Sequence, residues 1–526
     1  MREAFVAIIV AGLVASLRFL SLTGFPDDHY VHLSGAQQMR DGEWPSRDFV
    51  DLGAPLTYGT SAAAQAVFGD GQLTEAVLMA AAFGVAAAIT LRAGVALTGS
   101  IVLGLAAVLI EVLIFPRTYS YPKMVIYAMG ALAVVWYAAR PSRARVVALA
   151  AFAVGAFLIR HDHGLYVGVA ALVAVLLSPL LSDRLRGVSS AALLCGAVVA
   201  LVLPYLIYLQ MAGGVLPHIQ RAMAFAALEV PRQRLTMTGL PAHALWLLFA
   251  TWLAPVAALA VVGIQMTAGA ADARANIRRV LPVIVLALVA NAGMIRDSLD
   301  ARLPDAVVAP ALLMVWLVRQ AWQPFPVAIA VVARVAAVAV LALTIGCASV
   351  MGRTEEQLDR AGLFNGLARV PARFAERAAE LRRPWVGRQA PSAAARQLQP
   401  FFDYAERCIG IDDRLLVPGF LPEVPVLARR AFAGGQVWFM PGALKTAEDH
   451  RLVMQRLQRE RVPLAVVRRP TYDELAIEFP ELDAYITQRF APIGQWPLGG
   501  PDTIFLLADA SLAKGTDRVT GWPCFR

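Results

Sequence analysis

Charge is what this chain lacks. Of its 526 residues only 16% are charged, against 58% hydrophobic, and its mean hydropathy is +0.60. A soluble globule carries about a quarter of its residues as charges, so that class is excluded and a polytopic membrane protein is expected. The net charge of +9 lies in short loops between apolar runs, where basic residues orient helices in a bilayer, and is not a footprint for nucleic acid. Residues 4–21 have the basic flank and apolar stretch of a signal peptide, but Arg18 sits late in the run and no small-x-small cleavage site follows, so an uncleaved first helix is expected. The chain has no repeat on the scale of its spans and no low-complexity tract.

What it has in abundance is apolar runs long enough to cross a hydrocarbon core of about 30 Å. They lie near 4–21, 72–92, 97–115, 122–139, 146–159, 164–181, 188–209, 242–264, 279–294, 306–320 and 326–350, giving about eleven spans by length. With a cytoplasmic N-terminus, the inside loops hold Arg92, Arg140 to Arg145, Arg184 and Arg186, Arg274 to Arg279, and Arg319, as the positive-inside rule asks. The opposite face receives every loop that mixes acids, bases, His and Tyr. An odd span count places the C-terminal region on that same outer face. The expected fold class is therefore mainly α: a helical membrane bundle over 1–350 with an external loop at 22–71, a helical connector over 351–400, and an extramembrane α/β domain over 401–526. Strands are expected at Leu415 to Val417, Val437 to Phe439, Leu464 to Val467 and Thr503 to Leu507, with helices near 447–460 and 473–489 between them. Of the four cysteines, Cys195 and Cys347 fall in apolar runs. Cys408 and Cys524 fall in the polar region and can pair in an oxidising compartment.

Chemistry concentrates in the first outer loop, at Phe25-Pro26-Asp27-Asp28-His29-Tyr30. An Asp before a helix is a favoured N-cap, and Tyr30 to Arg40, with Leu33, Ala36 and Met39, can form a helix lying in the membrane interface. A second carboxylate is more than one cap needs, and the pair stands where a helix leaves the bilayer. The sequence Pro-Asp-Asp-x-Tyr, then Asp41-Gly42-Glu43-Trp44-Pro45, then Pro55-Leu56-Thr57-Tyr58 to Phe68-Gly69, resembles the first external loop of the C-superfamily glycosyltransferases (GT-C), among them protein mannosyltransferases and aminoarabinose transferases. The resemblance implies a transfer of sugar from a polyprenyl monophosphate donor to a glycan, lipid or protein acceptor at the external face of a bacterial cytoplasmic membrane. It implies too that an acidic residue of this loop is the catalytic base. Many members have Glu at the second acidic position where this chain has Asp28, so the choice of base stays open, and position favours Asp27. Such a donor has a good leaving group, so the reaction needs one base and cations on the departing phosphate, and not the acid and base pair of glycoside hydrolysis.

Candidate cations share that outer face. Arg160, with His161, Asp162 and His163, closes the fifth span; Arg296 and Arg302 bracket Asp297 and Asp300 after the ninth. Arg suits bidentate phosphate contact. Each alone reads as an anchor snorkelling to the membrane edge, but anchoring does not explain the Asp that follows Arg160 and Arg296 within two residues. Arg117 and Lys123, flanking Tyr119 and Tyr121, are further phosphate or sugar candidates, as is Tyr30. His161 and His163 alternate near a helix start with no third ligand nearby, so no metal cofactor is required and a divalent ion there is the minority reading. Asp412-Asp413 has no glycine-rich phosphate loop beside it and reads as a turn. Three competitors remain open: a transporter or flippase, which would place ionisable residues near the bilayer midplane and show related halves; a lipid-diphosphate-dependent ligase or polymerase, served by the same cations; and a membrane scaffold presenting the C-terminal domain.

Overall fold

The computed structural model describes residues 2–51, 53–180, 184–232, 238–267, 273–295, 298–323, 327–382, 396–437, 439–442, 444, 446–499 and 501–526. The protein is mainly helical, with a small C-terminal sheet region. It divides into two compact units, one made of Met1–Leu22, Ala76–Tyr208 and Glu229–Arg377, the other of Thr23–Glu75, Leu209–Leu228 and Ala378–Arg526.

The first unit is a membrane bundle. It holds α1 (Arg2–Leu20); chain order then places α2 (Asp27–Arg40) and α3 (Pro55–Phe68) in the other unit; α4 (Gln72–Thr98), α5 (Ile101–Leu113), α6 (Tyr121–Ala139), α7 (Arg143–Ile159), α8 (His161–Leu180) and α9 (Arg184–Met211) follow. After α10 (Val215–Arg232) come α11 (Ala242–Thr267), α12 (Ala273–Met294), α13 (Leu299–Ala306), α14 (Val308–Ala321), α15 (Val327–Met351), α16 (Thr354–Arg360) and α17 (Val370–Arg382). Among the described residues seven helices are long and apolar enough to cross a membrane, or eight if α13 and α14, bent by 56°, form one span. Pro310 explains that bend: it lacks the N–H that would bond the carbonyl of Ala306, and its ring crowds that carbonyl. Three expected spans, near 97–115, 146–159 and 164–181, are helices of 13, 17 and 20 residues, α5, α7 and α8. Small residues let backbones close up where lipid supplies no hydrophobic drive. At Gly84 of α4 an added Cβ would stand 2.4 Å from the Ala11 carbonyl of α1.

The second unit is built on a five-stranded sheet. Its elements are α18 (Gln399–Cys408), β1 (Arg414–Leu416), α19 (Glu423–Ala428), β2 (Ala431–Phe432), α20 (Ala447–Arg459), β3 (Leu464–Arg469), α21 (Thr471–Glu478), α22 (Pro480–Arg489), β4 (Ala491–Gly499) and β5 (Asp502–Ala508). Strand order is β2-β1-β3-β5-β4; β2, β1 and β3 run parallel, while β5 is antiparallel to both β3 and β4. Central β3 alternates its side chains between two cores, Leu464 and Val466 into one with Phe401 and Leu415, Ala465 and Val467 into the other with Leu457 and Phe479, the period-two rule of a strand buried on both faces. The segment holding α2 and α3 joins this unit through a third cluster of Val31, Phe49, Ala54, Tyr58, Phe432 and Val437.

Local expectations held at β1, β3, β5 and α20. Of the strand expected at Val437 to Phe439, the described residues show only isolated bridges from Phe439 to Pro418 and Gly419; Trp438 lies outside the described residues. The helix near 473–489 is two, because Pro480 cannot continue α21 and starts α22 as an N-terminal proline. The expected connector helix is α16, two short 3-10 turns and α17, with 383–395 outside the described residues. Asp413 does sit in a turn, accepting the Gly410 N–H at 2.7 Å.

Cys408 and Cys524 are joined by a disulfide across a sequence separation of 116. It ties α18 to the short strand Pro523–Cys524. Closing a loop of this length is worth about 2–5 kcal/mol, mostly by restricting the unfolded chain. A Cys408→Ser variant should therefore unfold at a clearly lower temperature than the parent, and the unreduced parent should show a mobility shift on reduction that the variant lacks.

Candidate active site

In the second unit α2 starts at Asp27, with Pro26 in the N-cap position and no side-chain cap bond. Neither aspartate therefore caps the helix. Both stand in its first turn, where the aligned peptide dipoles favour negative charge. Asp27 is half-buried and Asp28 exposed. Burial raises the Asp27 carboxyl above the ordinary Asp range and the Asp28 charge raises it further, while Arg468 and a backbone hydrogen bond pull it down. One face of α2 is buried within this unit: Val31 and Met39 pack in the cluster with Phe432.

Fixed contacts hold this helix start in place. His29 and Glu75, both fully buried, share a hydrogen bond of 2.9 Å between Nε2 and Oε1. Ser61 of α3 donates to the other Glu75 oxygen at 2.8 Å. The His29 ring lies 4.3 Å from that of Phe25. Further along, Ser34 donates to the Pro422 carbonyl at 2.8 Å and Gln38 to the Phe432 carbonyl at 3.2 Å. At Gly35 a Cβ would stand 2.9 Å from the Tyr58 ring, so α2 and α3 meet at this glycine.

Charges from other elements of the unit act on this helix start, Arg468 on Asp27 and Glu423 on Tyr30. Tyr30 is 1% exposed, and burial, then the Glu423 and Asp27 charges, raise its hydroxyl far above the usual range, so it stays a neutral donor. Glu423 opens α19 and is fully buried. Arg468, next to last in β3, is forked onto Asp502 of β5, Nε to Oδ1 at 3.0 Å and Nη2 to Oδ2 at 2.7 Å. That pairing, with Glu423 and Asp27, keeps the guanidinium charged. None of Glu423, Arg468 and Asp502 was expected from sequence. Arg468 is one of a Val-Val-Arg-Arg run, and only the tertiary fold distinguishes it.

In the first unit two of the candidate cations, Lys123 and Arg302, line a cavity of about 20 Å³ together with Tyr127, Asp162, His163, Tyr166 and Asp305 among others. That is room for about one water. Arg160 terminates α7 and donates through Nε to Asp162 Oδ1 at 3.0 Å. Asp162 also accepts the His163 backbone N–H at 2.9 Å, and the His163 ring is hydrogen-bonded to the Tyr127 hydroxyl at 2.5 Å. Lys123 and Asp305, both nearly inaccessible, pair at 2.5 Å. Arg117 stands apart, in an exposed pair with Asp300 at 3.0 Å; Arg296 and Asp297 lie outside the described residues. Tyr127, Tyr166 and Asp305 were missed. Asp305 had a signal, an acid immediately before an apolar run.

A scan against protein-family models finds no match for this chain, and a search of curated proteins finds none.

The Lys123–Asp305 pair yields a prediction. Removing one partner of a buried pair leaves the other charge uncompensated, at a cost of about 3–5 kcal/mol, whereas replacing both by apolar groups is often near neutral. Lys123→Met should lower the thermal midpoint in detergent strongly, and Lys123→Met with Asp305→Leu should recover much of the loss. Equal midpoints for the single and double variants would exclude the pairing.

Proposed function

We propose that this membrane protein is a glycosyltransferase that moves a sugar from a polyprenyl monophosphate donor to a glycan, lipid or protein acceptor by an inverting, single-base displacement. The observation that carries this reading is Asp27 itself: a half-buried carboxylate on the rigid start of α2, backed by a fully buried His29–Glu75–Ser61 network and flanked by the neutral Tyr30 hydroxyl and the Arg468 charge. A base must be pre-oriented toward the acceptor proton, and a helix start fixed from behind and from the side supplies that. The exposed Asp28 is the secondary candidate.

Arg160 and Arg302 are the proposed phosphate contacts, with Arg296 retained from the sequence. Among the described residues Arg160 engages Asp162 through Nε and makes no hydrogen bond through its Nη groups, which suits them to a bidentate phosphate contact. Lys123 is committed to Asp305 and Arg117 to Asp300, so neither is kept in that role. No metal is part of the proposed chemistry.

The proposed topology has a cytoplasmic N-terminus and the second unit on the outer face of a bacterial cytoplasmic membrane. Two features support it. The disulfide Cys408–Cys524 suits an oxidising compartment. And Thr23–Glu75, Leu209–Leu228 and Ala378–Arg526 belong to one compact unit, so crossings between them must be even in number. That condition is met when α4 to α9 all cross, when α11, α12 and α15 cross, and when α13 with α14 counts as one span. With α1 this restores the eleven crossings expected from the apolar runs.

The test uses the purified chain in nanodiscs with a polyprenyl phosphate carrying a labelled sugar and cell-envelope glycolipid as acceptor. Asp27→Asn should reduce transfer by at least about 10²-fold, the usual scale for removing a positioned base, with Asp28→Asn affecting it less. Normal transfer by both variants sinks the assignment. The pH profile has a definite sign. A base works when deprotonated, and the Asp27 carboxyl is raised by burial and by Asp28, so transfer should fall as pH drops through a midpoint above that of an ordinary Asp. A profile flat down to the ordinary Asp range would contradict the role.

A further inference from the structure

Helix α10 has two unlike sides. Among its described side chains, 215–224, 226 and 227, the sole Asp, Glu, Lys or Arg is Arg221, and its Nε pairs with Asp449 of α20 at 3.1 Å. One turn earlier His218 shares a hydrogen bond of 3.3 Å between Nδ1 and the Ser46 Oγ. Residues Leu209–Leu228 belong to the second unit, as do both of these partners, so this is the side of α10 that packs. The other side is apolar and open. Leu216 is 64% exposed, Ile219 46% and Met223 67%, at the i, i+3, i+7 spacing of one helix face, and the exposed Ala226 and Ala227 continue it. At about 100° per residue, the mean direction of Leu216, Ile219 and Met223 is roughly opposite that of His218 and Arg221.

What covers that open face follows from where the helix begins. The preceding helix carries the span Val188–Met211, of which only 11% is buried in the protein. Its Val199, Leu203, Ile207 and Met211, each four residues on from the last, are all exposed, the marks of a ridge turned to lipid. Three residues, Ala212-Gly213-Gly214, separate α9 from α10, and both glycines have positive φ, 122° and 105°, which a side chain would strain. Four chain steps reach at most about 14 Å, so α10 starts close to where α9 leaves the hydrocarbon. A helix with an uncharged apolar face at that level lies along the boundary between headgroups and acyl chains, that face sunk about 5–10 Å. Such helices usually turn a charged face to water; here the corresponding face is satisfied by Asp449 and Ser46. We propose that α10 is an interfacial helix whose Leu216, Ile219 and Met223 insert into the leaflet at which α9 ends, the bilayer being the partner of this face. The proposal needs α9 to cross the membrane and is independent of the assignment of a base or a donor.

Depth in the bilayer can be read directly. Cys195 and Cys347, the two cysteines outside the disulfide, are replaced by Ser, and Leu216→Cys or Met223→Cys is introduced singly and labelled with an environment-sensitive fluorophore. Both side chains are exposed, so the exchange removes little packing, and a thermal midpoint near the parent value identifies folded chains. The full-length protein is placed in nanodiscs of phosphatidylcholine and phosphatidylglycerol. Three quenchers are compared: a nitroxide on the acyl chain next to the headgroup, a nitroxide near the end of the acyl chain, and aqueous iodide. At both positions the shallow nitroxide should quench severalfold more than the deep one, and iodide should have little effect. Quenching by iodide with none by the nitroxides puts the face in water and overturns the proposal. Shielding from all three quenchers means that protein covers the face, a second copy of the chain or another partner, and overturns it equally. Stronger quenching by the deep nitroxide would mean that the segment enters the hydrocarbon core, which also contradicts a helix lying at its boundary.

Discussion

The chemistry proposed for this protein depends on the burial of α2. A fourteen-residue helix of mixed, weakly amphipathic sequence would be marginal in water by itself. It is held by what it packs against: Tyr58 at Gly35, Glu75 at His29, and two backbone carbonyls from a domain nearly 400 residues later, those of Pro422 and Phe432. His29, Ser34 and Gln38 on the buried side each make a hydrogen bond, which matters because an unpaired buried group would cost about 1–3 kcal/mol. The two aspartates sit at the only end of the helix where the backbone itself favours negative charge. The site is thus a by-product of how the helix is fixed.

The first unit solves a different problem with the same rule. Where lipid replaces water, a charge survives by pairing, and Lys123–Asp305 and Arg160–Asp162 are such pairs at helix ends. Arg18 shows an alternative. It is nearly inaccessible, lies between the Phe83 and Phe115 rings at 3.9 Å from each, and donates to the Pro116 carbonyl. The ring faces supply the negative potential a carboxylate would otherwise give. The late Arg18 that made the first apolar run unlike a signal peptide is a packing element that pins α1 to the loop after α5.

Much of this was legible in the sequence because it follows from composition and period. The apolar runs became helices, the disulfide joined the two cysteines of the polar region, and β1, β3 and β5 fell where short β-branched and leucine-rich runs stood. What was hidden has a common cause. Strand β4, Ala491–Gly499, carries Pro492, Gly494 and Pro497, residues that argue against a strand until it is seen to lie at the sheet's edge. The helix at 473–489 read as one because Pro480 is tolerated in a first turn. Arg468, Glu423 and Asp502 carry no local signature at all; they matter through neighbours contributed by α2, and no window of sequence contains both. The acidic pair was visible because its chemistry was concentrated in two adjacent residues.

The division of the second unit along the chain has a consequence for how the protein is made. Its early part ends at Glu75 and its sheet begins only after Ala378, so roughly 300 residues must be synthesised between them. At about 5–20 residues per second that is about 15–60 s, during which Val31, Phe49 and Tyr58 lack Phe432 and Val437, the partners that complete their cluster. For that interval the nascent loop is an unpartnered apolar surface, and the step that buries it is a late, long-range closure and not a local folding event. The proposed base would be assembled only when the last domain arrives, so an incomplete chain would carry both aspartates and still lack a site.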